Sequence, residues 1–144
     1  MNKIETSIEI HTAPEKVWDE LVNFELYPEW NPFIKRIEKE SENHLQVTIQ
    51  IPGRKEMTLR PEILKYLVNR ELRWKGKLLL KGIFDGEHYF ILEKSGINNT
   101  HFIHGEIFSG ILPPLMKSML KDTEEGFYQM NLALKKRCES DSES

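Results

Sequence analysis

A single change of hydrophobic period constrains this chain more than any other feature. From Phe33 to about Gly110 apolar residues recur at every second position; after Gly110 they recur every third or fourth. Period two lines one face of a strand and period 3.6 one face of a helix, so a run of strands hands over once to a helix. The cleanest strand sets Leu45, Val47, Ile49 and Ile51 against His44, Gln46, Thr48 and Gln50, and Pro52-Gly53 then marks a turn. Met57, Leu59 and Ile63 hold one parity and Leu64, Tyr66 and Val68 the other, so the slip near Pro61 predicts a bulge or bend. Leu72, Trp74 and Leu78 share one face, as do Phe84, His88, Phe90 and Leu92. Beyond the turn-rich Ser95-Gly96-Ile97-Asn98-Asn99, a last strand runs from Thr100 to about Ser109.

The helical stripe that follows comprises Leu112, Leu115, Met116, Met119, Leu120, Phe127, Met130 and Leu134. It implies about 25 residues of helix, about 38 Å long. Pro113 and Pro114 suit its first turn, and Lys135-Lys136-Arg137 suits its C-terminal dipole. Gly126 costs up to about 1 kcal/mol in mid-helix and predicts a close approach to the sheet or a slight bend.

Before the strand run, Ile4, Ile8 and Ile10 alternate with Glu5, Ser7, Glu9 and His11 as a first strand. Thr12-Ala13-Pro14-Glu15 has the form of a capping box, opening a helix that carries Val17, Trp18, Leu21 and Val22. Tyr27-Pro28 ends it, and one short turn fits before Asn31-Pro32. Strands that follow one another through short turns make a mostly antiparallel sheet, and one long amphipathic helix must cover its apolar face. The fold class is therefore α+β, with room for a cavity between the layers.

At 144 residues one domain is expected, spanning 1–138, with 139–144 as a flexible acidic tail. With 20 Lys+Arg against 23 Asp+Glu the charge is −3, which gives no reason to expect nucleic acid. No segment approaches a membrane span or a signal peptide, so a cytoplasmic protein is expected. Cys138, the single cysteine, rules out an intramolecular disulfide and is read as a bystander near a charged helix end.

Most catalytic signatures are missing: there is no phosphate loop, dinucleotide fingerprint, nucleophile elbow or H-E-x-x-H. His101 and His104, three apart on a strand, point to opposite faces and cannot share a metal, so no metal and no cofactor are expected. The hairpin around residues 96–99 is more informative. If the numbers of facing residues sum to 192 or 194, His88 sits opposite His104 or Glu106, and Thr100, Phe102, His104, Glu106 and Phe108 point inward. A one-residue slip buries His101, Ile103, Gly105 and Ile107 instead, and the pattern alone leaves both open. His88 belongs to an apolar parity and needs a partner, which Glu106 can supply: either a satisfied core pair or a polar spot in a pocket. Trp74 is core or pocket wall. Trp30, with Asn31 behind it, either guards a cavity mouth or anchors its loop. Arg73, Lys75, Lys77 and Lys81 read as a solvated outer face.

Taken in order, Ile8-Glu9-Ile10-His11-Thr12-Ala13-Pro14-Glu15-Lys16-Val17-Trp18, Tyr27-Pro28-Glu29-Trp30-Asn31-Pro32-Phe33, Leu72-Arg73-Trp74, Gly86-Glu87-His88-Tyr89-Phe90 and Glu106-Ile107-Phe108-Ser109-Gly110 resemble the START-like, or SRPBCC, superfamily. The nearest branch is that of polyketide cyclases and dehydrases. The resemblance covers residues 2 to about 138. It implies a helix-grip fold, with a curved seven-stranded antiparallel sheet around the C-terminal helix, two short helices after strand 1 and a deep hydrophobic cavity. It also implies the register that puts His88, His104 and Glu106 inside.

The expected function is binding or carriage of a small hydrophobic molecule of lipid, polyketide or aromatic type. Trp30, Asn31, Trp74, Phe90, Phe108, Met116 and Met119 are the candidate wall, and His88, His104 and Glu106 the candidate polar end. The alternatives are a cyclase- or dehydratase-like enzyme using those last three as acid and base, and a partner-binding module without a small ligand. Monomer and homodimer both remain open.

Overall fold

The first strand pairs with the last. β1 (Asn2–Ile10) lies antiparallel to β8 (Asn99–Gly110), which pairs in turn with β7 (Phe84–Gly96). β6 (Glu71–Lys77) and β5 (Glu62–Leu67) complete a five-stranded sheet in the order β1-β8-β7-β6-β5. A second sheet of three strands is formed by β2 (Ile34–Lys39), β3 (Leu45–Ile49) and β4 (Met57–Leu59). The computed structural model describes residues 2–77, 84–110 and 116–141. Leu78, Lys81, Leu112, Pro113, Pro114 and Leu115 of the sequence patterns lie outside the described residues, as do the side chains of Lys77, Phe84 and Met116.

The two sheets are one curved surface interrupted at Pro61. A proline cannot donate to a ladder, so the strand breaks between Leu59 and Glu62. Around that break the Leu45 N–H donates to the Pro61 carbonyl at 3.0 Å and the Ile63 N–H to the Asn43 carbonyl at 2.7 Å, which holds the edges together. Counting β4 and β5 as one interrupted strand gives the expected seven. The parity slip is real as well: the β5–β6 register shifts between Ile63 and Lys65.

α1 (Pro14–Val22), a 3-10 turn (Phe24–Leu26) and α2 (Tyr27–Trp30) connect β1 to β2, and α3 (Met116–Asp141) lies across the concave face. α1 buries Val17, Trp18 and Leu21 as its spacing predicts. The capping box does not form. Ala13 is the N-cap, no side chain caps the helix, and the Thr12 Oγ1 has no hydrogen-bond partner among the described residues. The Thr12 carbonyl instead accepts from the Thr100 hydroxyl at 2.7 Å, which ties the helix start to the sheet.

α3 buries Phe127, Met130, Leu134 and Cys138 on one face. Cys138 thus extends the apolar stripe and is fully buried, not a bystander at an exposed end. The helix runs on to Asp141, into the expected tail, and Glu139 accepts from the His11 backbone N–H at 2.8 Å and from Lys135 Nζ at 2.7 Å. Lys135 and Arg137 therefore stand more than a turn short of the helix's last residues. They act as ties: Lys135 donates to the Glu9 carbonyl and Arg137 pairs with Glu20 of α1. Gly126 marks a close approach, since a Cβ there would lie 2.6 Å from Phe33 Cδ1.

Candidate functional site

The register of the large sheet arranges its inward side chains in rows. Trp74 faces His88, His88 faces Glu106, and Glu106 faces Ile4. One step toward the closed end the row is Leu72, Phe90, His104 and Thr6; one step the other way it is Gly76, Gly86 and Phe108. Facing numbers across β7 and β8 sum to 194, one of the two values that place Glu106 inside. Thr100, Phe102, His104, Glu106 and Phe108 are accordingly all buried. His101 points the other way, 3.5 Å from Glu9, so the two histidines of the H-x-x-H do lie on opposite faces.

The first two rows are joined by a buried chain of hydrogen bonds. Glu106 Oε1 lies 3.0 Å from His88 Nδ1, and His88 Nε2 lies 2.8 Å from His104 Nε2. His104 Nδ1 lies 2.9 Å from Asn131 Oδ1 on α3. Asn131 Nδ2 donates to Thr6 Oγ1 at 2.8 Å, and the Thr6 hydroxyl donates to the His104 carbonyl at 2.9 Å.

That last acceptor assigns every proton. A carbonyl only accepts, so the Thr6 hydrogen is committed to it and the Asn131 amide must point its NH2 at Thr6. Its oxygen then faces His104, so His104 carries its proton on Nδ1 and accepts on Nε2. His88 must therefore donate from Nε2. In the uncharged state His88 Nδ1 is then an acceptor, and Glu106 donates to it as a carboxylic acid.

Electrostatics agrees. Burial pushes the Glu106 carboxyl up to about 8 and the His88 imidazole down to about 3, because each charged form would lose its water. His104 is also held well below the usual histidine range, first by burial and then by His88. Aromatic rings keep the chain dry: Trp74 stacks on His88 with ring centres 5.3 Å apart, and Phe127 on His104 at 4.1 Å.

A cleft opens where the glycine row leaves the sheet without side chains. Trp74, His88, Glu106, Gly76, Gly86 and Phe108 form its wall on the large sheet, and Val47, Ile49, Ile51, Met57 and Leu59 the facing wall. Met119, Leu120 and Thr123 of α3 cover it. It holds about 680 Å³ of space unfilled by atoms, counting the part open to solvent, yet only about 40 Å³ is wide enough for the centre of a water molecule. The cleft is thus a narrow slot rather than a wide cavity.

Of the sequence-derived site residues, the structure brings Trp74, His88, Glu106, Phe108 and Met119 to the cleft. Phe90 and His104 sit behind the wall, fully buried. Trp30 and Asn31 are not brought there. Trp30 packs its ring on Tyr27 at 5.1 Å, and Asn31 Oδ1 accepts from the backbone N–H groups of Phe33 and Ile34, so both serve the loop that aims Phe33 at α3. The outer-face cations are not uniformly solvated, since Arg73 bridges Glu71 and Glu87 at 2.8 Å each and lies over the Tyr89 ring.

Sequence reasoning missed Asn131, Thr6 and the whole facing wall of the small sheet. Both polar residues left a trace: Thr6 holds the parity of Ile4 and Ile8, and Asn131 stands four residues after Phe127.

A family model described as polyketide cyclase / dehydrase and lipid transport matches residues 1–139. The chain belongs to this family. Among curated proteins none matches the sequence. Several solved structures share the fold. A START superfamily protein from Mycobacterium smegmatis superposes with a TM-score of 0.79 at 19% identity, covering 96% of this chain and 97% of its own. The Zhui aromatase/cyclase from Streptomyces sp. R1128 gives 0.73 at 12% identity over 96% and 93%. A conserved protein from Geobacillus kaustophilus gives 0.73 at 16% identity over 96% of each chain. The architecture is thus the helix-grip arrangement the sequence patterns resemble.

Proposed function

We propose that this protein binds a small, largely apolar molecule in the cleft, its body against Trp74, Phe108 and Met119 and its polar end at Glu106. The observation that carries this reading is a small polar spot, Glu106 paired with His88, in a slot that is otherwise largely apolar. A pair kept only for folding has no reason to border a cleft, whereas a few convergent polar groups in an apolar concavity are what orients a ligand. The family's description as cyclases, dehydrases and lipid transporters supports it.

Titration with N-phenyl-1-naphthylamine, whose emission rises in apolar surroundings, tests the reading. Leu59→Trp, at the half-buried rim, fills the slot and is expected to lower the probe's affinity at least about tenfold, the worth of roughly 1.4 kcal/mol. Equal affinity of both proteins, with melting temperatures unchanged, places the probe elsewhere and defeats the proposal.

A second reading, acid–base catalysis, is favoured by the 3.0 Å contact between Glu106 and His88. A proton taken from a ligand by Glu106 Oε2 is matched by transfer of the Oε1 proton to His88 Nδ1, leaving a neutral carboxyl and an imidazolium. Hydrogen–deuterium exchange at the α-carbon of a bound ketone such as 2-acetylnaphthalene is the readout. Exchange no faster than in buffer leaves binding alone.

A further inference from the structure

We infer that the cleft selects ligands whose polar end donates a hydrogen bond, an uncharged alcohol, phenol or enol hydroxyl, and discriminates against ethers and carboxylates. This rests on the cleft being a ligand site, and it follows from counting donors.

The polar hydrogens of the Glu106–His88 pair are all committed. Both His88 nitrogens are engaged, one with Glu106 and one with His104. Glu106 Oε1 shares its proton with His88 Nδ1, and on whichever of the two that proton resides, Oε2 carries none. Oε2 has no protein partner among the described residues, and it is not among the buried polar atoms closed off from any surface. The Thr123 hydroxyl donates to the Met119 carbonyl at 2.7 Å, so toward the cleft it too only accepts. The Trp74 indole N–H has no hydrogen-bond partner among the described residues and remains a donor; every other described lining side chain is hydrocarbon, thioether or bare glycine, and none is a lysine or arginine.

Among the described lining side chains, Glu106 Oε2 and Thr123 thus offer acceptors, the Trp74 indole N–H is the single uncommitted donor, and there is no cation. A hydroxyl donates to Glu106 Oε2 and so keeps the hydrogen bond its proton made to water. An ether of the same shape has no proton for that oxygen and leaves it unmatched, a cost of about tenfold in affinity for one net hydrogen bond. A carboxylate does worse, since it sets oxygen against oxygen and buries an uncompensated charge. The bare Gly76–Gly86 row beside Glu106 leaves a flat floor, and the facing wall lies close above it, so planar rings suit the slot.

Three probes of one shape test this: 2-naphthol, 2-methoxynaphthalene and 2-naphthoate, titrated calorimetrically into the full chain at about pH 6.5, close to the ordinary histidine pKa. The expected order is naphthol tightest, the methyl ether about tenfold weaker and the naphthoate weaker again. In Glu106→Leu, checked by melting to be folded, naphthol and its ether are expected to bind alike. An ether or naphthoate as tight as naphthol on the wild-type protein overturns the donor rule, and if Leu59→Trp abolishes that binding the ligand-site reading survives. Failure of all three probes to bind removes the ligand-site reading, and the donor rule with it.

Discussion

His88 Nε2 and His104 Nε2 face each other at 2.8 Å inside the sheet, and this contact requires one histidine to donate and the other to accept. Two imidazolium rings could not share it, and two neutral rings share it in only one direction. The direction is decided at a distance, by the Thr6 hydroxyl on the His104 carbonyl, and it ends by making Glu106 a neutral acid.

Glu106→Gln is therefore expected to be nearly neutral for stability at pH 7. A glutamine NH2 replaces the carboxylic O–H toward His88 Nδ1, and its carbonyl replaces the other oxygen. Glu106→Ala leaves a buried acceptor unpaired and a void, and is expected to cost about 2–4 kcal/mol. Urea denaturation separates the two. A glutamine variant as unstable as the alanine one would mean that Glu106 is charged in the folded protein.

Stability should peak near pH 6.5, and the sign follows from proton counts. Between pH 4.5 and 6.5, the ordinary values here of a glutamate and a histidine, unfolded His88 and His104 each bind a proton that the folded rings refuse, while folded Glu106 keeps one that the unfolded carboxyl releases. Two outweigh one, so stability rises with pH. From 6.5 to about 8 only Glu106 differs, and the folded state binds more protons, so stability falls. Each net proton is worth about 1.4 kcal/mol per pH unit. Denaturation at a series of pH values should show the alkaline decline in the wild type and its disappearance in Glu106→Gln. A decline that persists in the variant would assign it to another group.

Asn131→Leu keeps the branched shape, with somewhat greater bulk, but removes both the acceptor for His104 and the donor to Thr6. A loss of about 2–4 kcal/mol is expected, since buried polar groups on both sides lose partners. Combining it with Thr6→Val should cost clearly less than the sum of the two, because the first change already strips Thr6 of its donor. Strict additivity in that double-mutant cycle would mean the two residues are not coupled.

Much of this was legible from periodicity. The single handover from period two to period 3.6 gives the layers, and the slip at Pro61 gives the corner where the sheets meet. The inward set of β8 was not decidable, because His101, Ile103 and Ile107 look as apolar as Phe102, His104 and Glu106. Register depends on a hairpin whose bulge, between Lys94 and Gly96, changes the count by one. The network was half legible. His88 stands out as a polar residue on an apolar parity, with Glu106 as a partner it can use, whereas Asn131 and Thr6 meet them only through tertiary packing, from sequence separations of 27 and 98 residues to His104. The capping motif at Thr12 misled because the sheet, through Thr100, competes for that segment and wins.

Gly126→Ala separates local preference from packing most sharply. Alanine is favoured over glycine in a helix by about 1 kcal/mol, so helix propensity alone makes this change stabilising. Here the added methyl would sit 2.6 Å from Phe33 Cδ1 and 3.2 Å from Pro52 Cδ. Phe33 is buried and its ring meets Phe127 edge-on at 5.3 Å, so displacing it disturbs packed aromatic neighbours. Overpacking of this kind costs about 1–3 kcal/mol, enough to outweigh the helical gain. A net loss of up to about 2 kcal/mol is expected in urea denaturation, together with altered near-ultraviolet circular dichroism from the displaced rings. Because Phe33 also lines the cleft, the same variant should weaken binding of N-phenyl-1-naphthylamine. A stabilised Gly126→Ala with unaltered aromatic signals would mean that α3 does not press on Phe33 as the structure has it.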